Sequence, residues 1–261
     1  MCSDFQMDAA RLTLTALTGM PLVAAGDDLA GLLAAAFRRM DISPEDGDIL
    51  VVAQKVVSKA EGRFVELASV VASPRAAALA KEVHKDPRLV EVILSESSEV
   101  IRHRKDVLIV AHRLGYVMAN AGVDQSNVAD SDGGIVLLLP RDPDASAAAL
   151  KAKLDEEFGV SFGIVINDSF GRAWRNGVVG VALGAAGVPS LRNMIGVPDL
   201  FGRKMRVTEV AVADEIASAA SLLMGEAAEG VPAVHVRGLA CRARAVPAAA
   251  LLRPKEMDLF R

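Results

Sequence analysis

The chain has 261 residues, of which 52% are hydrophobic, 24% charged and 4% aromatic, and its formal net charge is −4. That length can bury a substantial core as one large domain or two small ones. Scarce aromatics and an acidic balance exclude the stacking platforms and basic faces that nucleic-acid binding needs, and the longest apolar runs, such as GIVLLLP (134–140), fall far short of the roughly 20 residues that span a bilayer.

In chain order, DDLAGLLAAAFRRM (27–40) predicts an amphipathic helix. Leu29, Leu32, Leu33, Ala36, Phe37 and Met40 recur with helical spacing, and Asp27 or Asp28 is placed to cap the first turn. PEDGDILVVAQKVVSKAEG (44–62) predicts a turn, a buried strand over Ile49–Ala53 and a polar exit bearing Gln54, Lys55 and Lys59. In SPRAAALAKEVHKDPRLVEVILSES (73–97), Ser73 and Pro74 take N-cap and N1 places, and Asp86-Pro87 restarts a second helix. DVLIVAH (106–112) and GYVMANAG (115–122) predict two strands joined by a short turn over 113–115. Ala147, Leu150, Leu154 and Phe158 mark a further helix leading into the strand FGIVIND (162–168). GVVGVALGAAGVP (177–189) is apolar and glycine-rich, as a segment is where backbones approach closely. A strand over 205–210, a helix over 212–223 and a strand at AVHVRGL (233–239) complete the pattern; the tail past 240 shows little of it. Several neighbouring strands have short connections, so the expected class is α+β with mixed sheets and interspersed helices.

Cys2 and Cys241 stand at the two extremities, which leaves no disulfide framework and no thiolate metal cluster. His84, His103, His112 and His235 form no i, i+4 pair of the kind a zinc site uses, and surface or satisfied core places are expected for them. The N-terminus lacks a basic start and an apolar h-region, so a soluble cytoplasmic protein is expected.

Polar residues collect at the predicted strand and helix ends. AGVDQSN (121–127) offers Asp124 and Asn127; INDSFGRAWRNG (166–177) offers Asp168 and Ser169 at a strand end, then Arg172 and Arg175. MGEAAEGVP (224–232) offers Glu226 and Glu229, and QKVVSKAEGR (54–63) offers Lys55, Lys59 and Arg63. Hard divalent cations take carboxylate and hydroxyl oxygens together with phosphate and water, so Asp124, Asp168, Ser169 and Glu226 suit Mg²⁺ if the fold gathers them. Lys59 and an arginine would then meet phosphate charge, the combination that phosphoryl transfer requires. Each residue also has a plainer reading: Asp and Asn are ordinary turn formers, Lys59 alone is a solvated charge, and Glu226 is a loop residue after a helix. Arg172 and Arg175 can equally be structural partners of nearby carboxylates. There is no G-x-x-x-x-G-K-[ST] P-loop, no G-x-G-x-x-G Rossmann fingerprint, no G-x-S-x-G elbow and no kinase signature. A nucleotide site here would need an uncommon scaffold.

The segments GMPLVAAGDDL (19–29), GDILVVAQKVVSKAEGR (47–63), NAGVDQSNV (120–128), INDSFGRAWRNGVVGVALG (166–184), IGVPDLFGRKM (195–205), VADEIASAASLLMGE (212–226) and GVPAVHVRG (230–238) together resemble the coenzyme F420-0:L-glutamate ligase (γ-glutamyl ligase) family. The likeness covers about residues 17–240 as the ligase domain, with 1–16 an N-terminal extension and 241–261 a C-terminal tail. It implies an intertwined homodimer-type fold and a GTP-dependent ligase that adds L-glutamate to F420-0, a phospholactyl deazaflavin, with γ-linkages in later additions. The acceptor carboxylate would pass through an acyl phosphate, and GDP and phosphate would be released. By motif position the resemblance makes Asp124, Asp168, Ser169 and Glu226 ligands of Mg²⁺ or Mn²⁺, two divalent ions in all, with K⁺ as a helper. Asp124, Asp168 and Lys59 would be the catalytic set. Met20, Pro21, Leu22, Val23, Gln54, Lys55, Lys59, Asn127, Met224, Gly225, Glu226, Ala227, Ala228, Glu229, Gly230 and Val231 would line the GTP site. Neither nucleic acid nor membrane is an expected partner.

Three places depart from the family pattern: Ala227 and Ala228 where glycine is frequent, Asn167 and Ser169 where Ser or Thr–Asp–Thr is common, and the bulky Trp174. Some bacterial relatives fuse the ligase to a nitroreductase-like domain; only the ligase part is expected in this chain. Two alternatives stand beside this reading: a ligase of the same scaffold with a different carboxylate acceptor, and a non-catalytic nucleotide-binding module.

Overall fold

The computed structural model describes residues 11–125, 134–239 and 243–259. Its core is a five-stranded mixed sheet in the order β1 (Thr13–Leu17), β12 (Ala233–Arg237), β2 (Ile49–Ala53), β8 (Gly163–Arg172) and β9 (Arg175–Ala186). Only the β2–β8 pair is parallel; β1–β12, β12–β2 and β8–β9 are antiparallel. The expected α+β class with mixed sheets is what the chain adopts.

Strand alternation sends the two faces to different helices. Leu50, Val52, Ile164 and Ile166 pack on α1 (Leu29–Arg39) and α5 (Pro143–Phe158), with Phe37, Phe158 and Phe162 in edge contact. Ile49, Val51, Val165, Val234 and Val236 pack on α6 (Val212–Met224). Fully burying an aliphatic side chain is worth about 1.5–3 kcal/mol, so this two-faced sheet is the main stabilising unit. At its lower end Asp48 accepts hydrogen bonds from the Arg237 guanidinium (Nη2, 2.6 Å) and contacts His235 Nε2 at 2.7 Å. Burial pushes the Asp48 carboxyl up, but Arg237, the Glu45 amide and His235 hold it below the usual carboxylate range.

A second layer of smaller elements stands beside the sheet. The helices α3 (Pro74–Val83) and α4 (Pro87–Ser95) cover an antiparallel sheet of β4 (Ser97–Arg104), β5 (Val107–His112) and β6 (Val117–Ala119). The strands β3 (Phe64–Glu66) and β7 (Ile135–Leu137) form a separate pair, as do β10 (Arg192–Asn193) and β11 (Glu209–Val210). Among the described residues, no helix is long and apolar enough to cross a membrane.

The start of α3 follows expectation, with Ser73 Oγ accepting from the Ala76 amide at 3.2 Å, and Asp86 caps α4. Four local expectations are corrected. Asp28 stands at the N-cap of α1 as expected but makes no side-chain capping bond, being drawn to Lys153 Nζ at 2.9 Å, while Asp27 accepts from the Ala24 amide in its own turn. The polar exit after β2 is the helix α2 (Gln54–Ala60), which buries Val57 against the core. The strand expected over 205–210 shortens to Glu209–Val210, and β4 had no expected counterpart. Asp168 and Ser169 do not end a strand, since β8 continues to Arg172 and returns through a hairpin.

That hairpin carries a bulge at the point that matters. Ile166 pairs with Gly184 and Asn167 with Ala182, so Leu183 has no partner on β8. The backbone groups displaced there are satisfied by side chains from three other stretches of the chain. Tyr116 Oη donates to the Leu183 carbonyl at 2.5 Å, Asp214 Oδ1 accepts from Ala182 N at 2.9 Å, and Asp144 Oδ1 accepts from Ala185 N at 2.8 Å. Glycines flank the bulge because helices press on it. A Cβ at Gly180 would lie 2.4 Å from the Ala217 carbonyl oxygen of α6, and one at Gly184 would lie 2.2 Å from the Pro143 carbonyl oxygen of α5. The close approach read from GVVGVALGAAG is thus real.

The tail past 240 also has a defined place. Asp144 accepts from the Ala248 and Ala249 amides, Ser190 Oγ donates to the Val246 carbonyl, and Lys255 pairs with Glu99 at 2.7 Å. Asn127, Cys2 and Cys241 lie outside the described residues.

Candidate functional site: an acidic corner above the parallel strands

β2 ends at Ala53, opposite Asn167, while β8 runs on. Beyond that point no strand among the described residues lies on the β2 side of β8, and the chain of β2 turns directly into α2. Ligand crevices in open α/β sheets lie outside the carboxyl ends of parallel strands, and the predicted acids gather at this edge.

Alternation along β8 sets the side chains. Asp168 faces the α2 side, where its ionisation is coupled to Lys55 and Asp124, while Asn167 and Ser169 face α6 and the loop after it. Asn167 Nδ2 donates to Ser221 Oγ of α6 at 3.0 Å, and Ser169 Oγ donates to Glu226 Oε1 at 2.7 Å. The Asn167 Oδ1 atom is buried and has no hydrogen-bond partner among the described residues.

Asp124 arrives from the opposite side. Ahead of it, Asn120, Ala121 and Gly122 all have positive φ (53°, 53° and 66°), a tight left-handed turn that is strained for the first two residues. Gly122 is required there twice over, because a Cβ would lie 2.8 Å from Leu139 Cδ2 and 2.9 Å from Met118 Cε. Asp124 then bonds through its own backbone to Leu137 in both directions (3.0 and 2.8 Å), and its carboxylate meets Lys55 Nζ at 2.7 Å.

Lys55 and Lys59 lie one turn apart on α2 and so share a face. Burial first, and then the neighbouring Lys55 charge, lowers the Lys59 pKa, while Asp124 acts in the other direction. Burial also pushes the Asp168 carboxyl up to about 6; Asp124 and Glu226 add to the rise, and the Ser169 amide and Lys55 oppose it. The corner therefore concentrates carboxylate charge beside two lysines.

The loop 224–231 closes the α6 side. Gly225 and Gly230 take positive φ, and Glu229 folds back so that its carboxylate accepts from the Ala227 amide at 2.8 Å. Gly225 gives room for that fold, since a Cβ there would overlap the Glu229 carboxyl group. Glu226, Ala227, Ala228, Glu229 and Gly230 are exposed, while Met224 is buried in the core. In the loop 20–23, Pro21 and Leu22 are exposed and Met20 and Val23 pack on the core; just beyond it, the Gly26 amide donates to the Ala60 carbonyl at the end of α2.

The fold thus brings Asp124, Asp168, Ser169 and Glu226 to one corner with Lys55 and Lys59, from four separate stretches of chain. Gln54 is different. It is buried, and its Oε1 accepts from Ser58 Oγ at 3.0 Å. Arg63 also turns away: its guanidinium reaches the Leu139 carbonyl and Glu96 Oε2 (3.2 Å) instead of the acids. Tyr116, which ties the bulge to the strand leading to Asp124, was not singled out from sequence. As the only tyrosine in the chain it carried one available signal, a lone phenol in an otherwise apolar strand.

Among the described residues, no three carboxylate, imidazole or thiol groups converge tightly enough to hold a metal as they stand. The donor set nevertheless fits a hard cation. It is composed of carboxylate and hydroxyl oxygens, an ammonium group already sits on Asp124, and Asp168 is kept from full acidity by burial first and then by its like-charged neighbours.

Comparison with known proteins finds relatives that are ligases. Residues 19–238 match the model of the F420-0:Gamma-glutamyl ligase family. The chain is 47% identical over 255 residues to the coenzyme F420:L-glutamate ligase of Methanothermobacter thermautotrophicus, covering 96% of this chain and 99% of that protein. It is 47% identical over 240 residues to the protein of the same name in Methanopyrus kandleri (90% and 92% covered), and 44% identical over 229 residues to that of Archaeoglobus fulgidus (88% of each). The protein is an enzyme of the ligase class that forms carbon–nitrogen bonds. The chain belongs to the F420-0:Gamma-glutamyl ligase family.

Proposed function

We propose that this chain is a GTP-dependent ligase that joins L-glutamate to coenzyme F420-0, with later additions γ-linked, and that it works as a cytoplasmic homodimer. The observation that carries the reading is the convergence of Asp124, Asp168 and the Ser169–Glu226 pair beside Lys55 and Lys59 at the open end of β2 and β8.

In this reading Asp124, Asp168, Ser169 and Glu226 hold Mg²⁺ or Mn²⁺, two ions in all, with K⁺ as a helper. A bound divalent cation supplies charge neutralisation for a transferring phosphoryl group. Lys59 is a compact donor for phosphate oxygen, and a cation held by Asp124 would occupy the place that Lys55 Nζ has there. The loops 20–23 and 224–231, with Lys55 and Asn127, line the nucleotide. The acceptor carboxylate oxygen attacks the γ-phosphorus of GTP, GDP leaves and an acyl phosphate forms. The glutamate amine then attacks the acyl carbon, the new C–N bond forms and inorganic phosphate leaves. No protein nucleophile is needed; the chain supplies position and charge.

The test is direct. Purified protein is incubated with F420-0, L-glutamate, GTP and Mn²⁺, and glutamyl mass increments are sought, with ATP replacing GTP in a parallel arm. Increments with GTP alone are expected. Increments with ATP alone would overturn the nucleotide assignment; GDP release without glutamylated F420 would point to another carboxylate acceptor.

A further inference from the structure

At the far end of the β8–β9 hairpin, Arg172 and Arg175 are direct cross-strand partners. Like charges placed so are destabilising, and a chain with 33 acidic residues has ample means to offset them. It does not do so. Among the described residues neither arginine has a carboxylate partner, and the one bond of Arg172 is a long contact from Nη2 to the Asn176 carbonyl at 3.5 Å. Arg172 Nη1 is buried and has no hydrogen-bond partner among the described residues. A guanidinium N–H out of water and unpaired is costly, and such a group in a native fold calls for an explanation. Both guanidinium groups would be relieved by one anion with two or more oxygens, which the fork of an arginine matches bidentately.

The place of the pair narrows the anion. Along β8 the alternation puts Arg172 on the face of Asp168, and four residues of strand separate them by roughly 13 Å. An anion between the arginines would therefore belong to a molecule whose other end reaches the acidic corner. Both non-nucleotide reactants of the proposed ligation carry anionic groups besides the reacting one: glutamate has carboxylates that must not react, and the acceptor has a phosphate.

We propose that Arg172 and Arg175 form a seat for a non-reacting carboxylate or phosphate group of a ligase substrate. The seat rests on the ligase reading for the identity of its occupant. It orients the substrate from its distant end, so that the reacting group is presented at Asp168 and the charge-bearing remainder is kept away from the acids.

The single tryptophan of the chain gives a readout that needs no turnover. Trp174 lies in the turn between the two arginines and is 86% exposed. Wild-type protein is titrated with L-glutamate and, separately, with F420-0, each with and without GDP, while Trp174 emission is followed. One of the two is expected to give a saturable change, and this assigns the occupant. In the Arg172→Gln/Arg175→Gln double variant, with unchanged circular dichroism, the half-saturation for that substrate should rise at least tenfold. The steady-state KM for the same substrate should rise in step, with the KM for GTP within twofold of wild type. Arg175→Gln alone changes an exposed side chain, keeps the fold, and should give part of the effect. The proposal is overturned if both KM values stay within twofold, or if the double variant changes only the oligomeric size, which would assign the arginines to acids of a second copy. If wild-type protein binds the anion through the arginines but makes no glutamylated product, the seat stands and the ligase reading fails.

Discussion

Asp168 is a carboxylate placed against its own ionisation. Burial raises its pKa to about 6, and Asp124 and Glu226 contribute further. Asp168→Asn removes a charge that the free protein holds at a cost, so the melting temperature should stay level or rise. Turnover should fall by about 10²–10³ or more, the loss typical of removing an electrostatic group from a reacting centre. Normal ligation by this variant would remove Asp168 from the cation set. Tyr116 acts at one remove. Its hydroxyl donates to the Leu183 carbonyl at the bulge, and its ring packs edge-on against Phe170, two residues after Asp168. Burial, with Asp144, Asp142 and Asp214 nearby, raises its pKa, so it remains a donor at every relevant pH. Tyr116→Phe leaves a buried carbonyl without its donor, and urea unfolding should show a loss of about 1–3 kcal/mol. Because the same strand leads to Asp124, kcat should fall about tenfold through misplacement; an unchanged kcat would show that the bond is structural only.

At the scale of elements, the approach of α2 to the second layer depends on one acid. Glu96 Oε2 lies 3.2 Å from Arg63 Nη2, 3.1 Å from Arg113 Nε and 3.5 Å from His112 Nε2. Arg63 directly follows the α2 turn, Glu96 ends α4, and His112 and Arg113 end β5, so this carboxylate joins three elements. The Leu114 amide donates to His112 Nδ1 at 3.0 Å, which orients the ring so that its Nε2 faces Glu96. That ring, and then Arg113 and Arg63, hold the Glu96 carboxyl down at about 2 from its usual 4.5, against its own burial. A depressed acid stabilises the fold above its unfolded pKa and ceases to as it protonates. Stability should therefore be level above pH 4.5 on this account and fall as pH drops toward about 2, by on the order of 3 kcal/mol. Glu96→Gln should flatten that part of the curve of unfolding free energy against pH, and lower it throughout at neutral pH.

For the whole molecule, the segment 190–210 stands out from the packed body. Leu200, Phe201 and Val207 are between 84% and 99% exposed, and Ile195 is 52% exposed. The only regular pairing among the described residues here is the two-residue β10–β11 ladder with one isolated bridge between Pro198 and Lys204, so this arm has little to hold it within one chain. Contiguous apolar exposure of this kind marks an interaction surface, and it supports the proposed homodimer. Leu200→Asp with Phe201→Asp should convert a dimer to a monomer by light scattering while far-ultraviolet circular dichroism is retained. A wild-type monomer at micromolar concentration would contradict the assembly.

Much of this protein is determined locally and is therefore legible in sequence. The 3.6-residue spacing from Leu29 to Met40 encodes α1, and Ser73-Pro74 and Asp86-Pro87 encode the starts of α3 and α4. The glycines of β9 encode two helix contacts, because only a residue without Cβ leaves room there. Candidate acids could be named because carboxylates at strand ends are few and their chemistry is restricted. What the sequence could not determine depends on partners far away in the chain. The segment QKVVSKA has β-branched residues and only seven positions; it becomes a helix because Val57 finds the core and Gln54 and Ser58 satisfy each other. Arg63 and Lys55 are both cations in one short segment, yet one goes to Glu96 and the other to Asp124. Nothing local distinguishes them. The bulge at Leu183 exists because side chains from α5, α6 and the residue just before β6 are present to take up its displaced backbone groups. Sequence by itself determined which residues could do the chemistry; tertiary structure decided which of them meet, because charge pairing and backbone satisfaction are settled between elements and not within them.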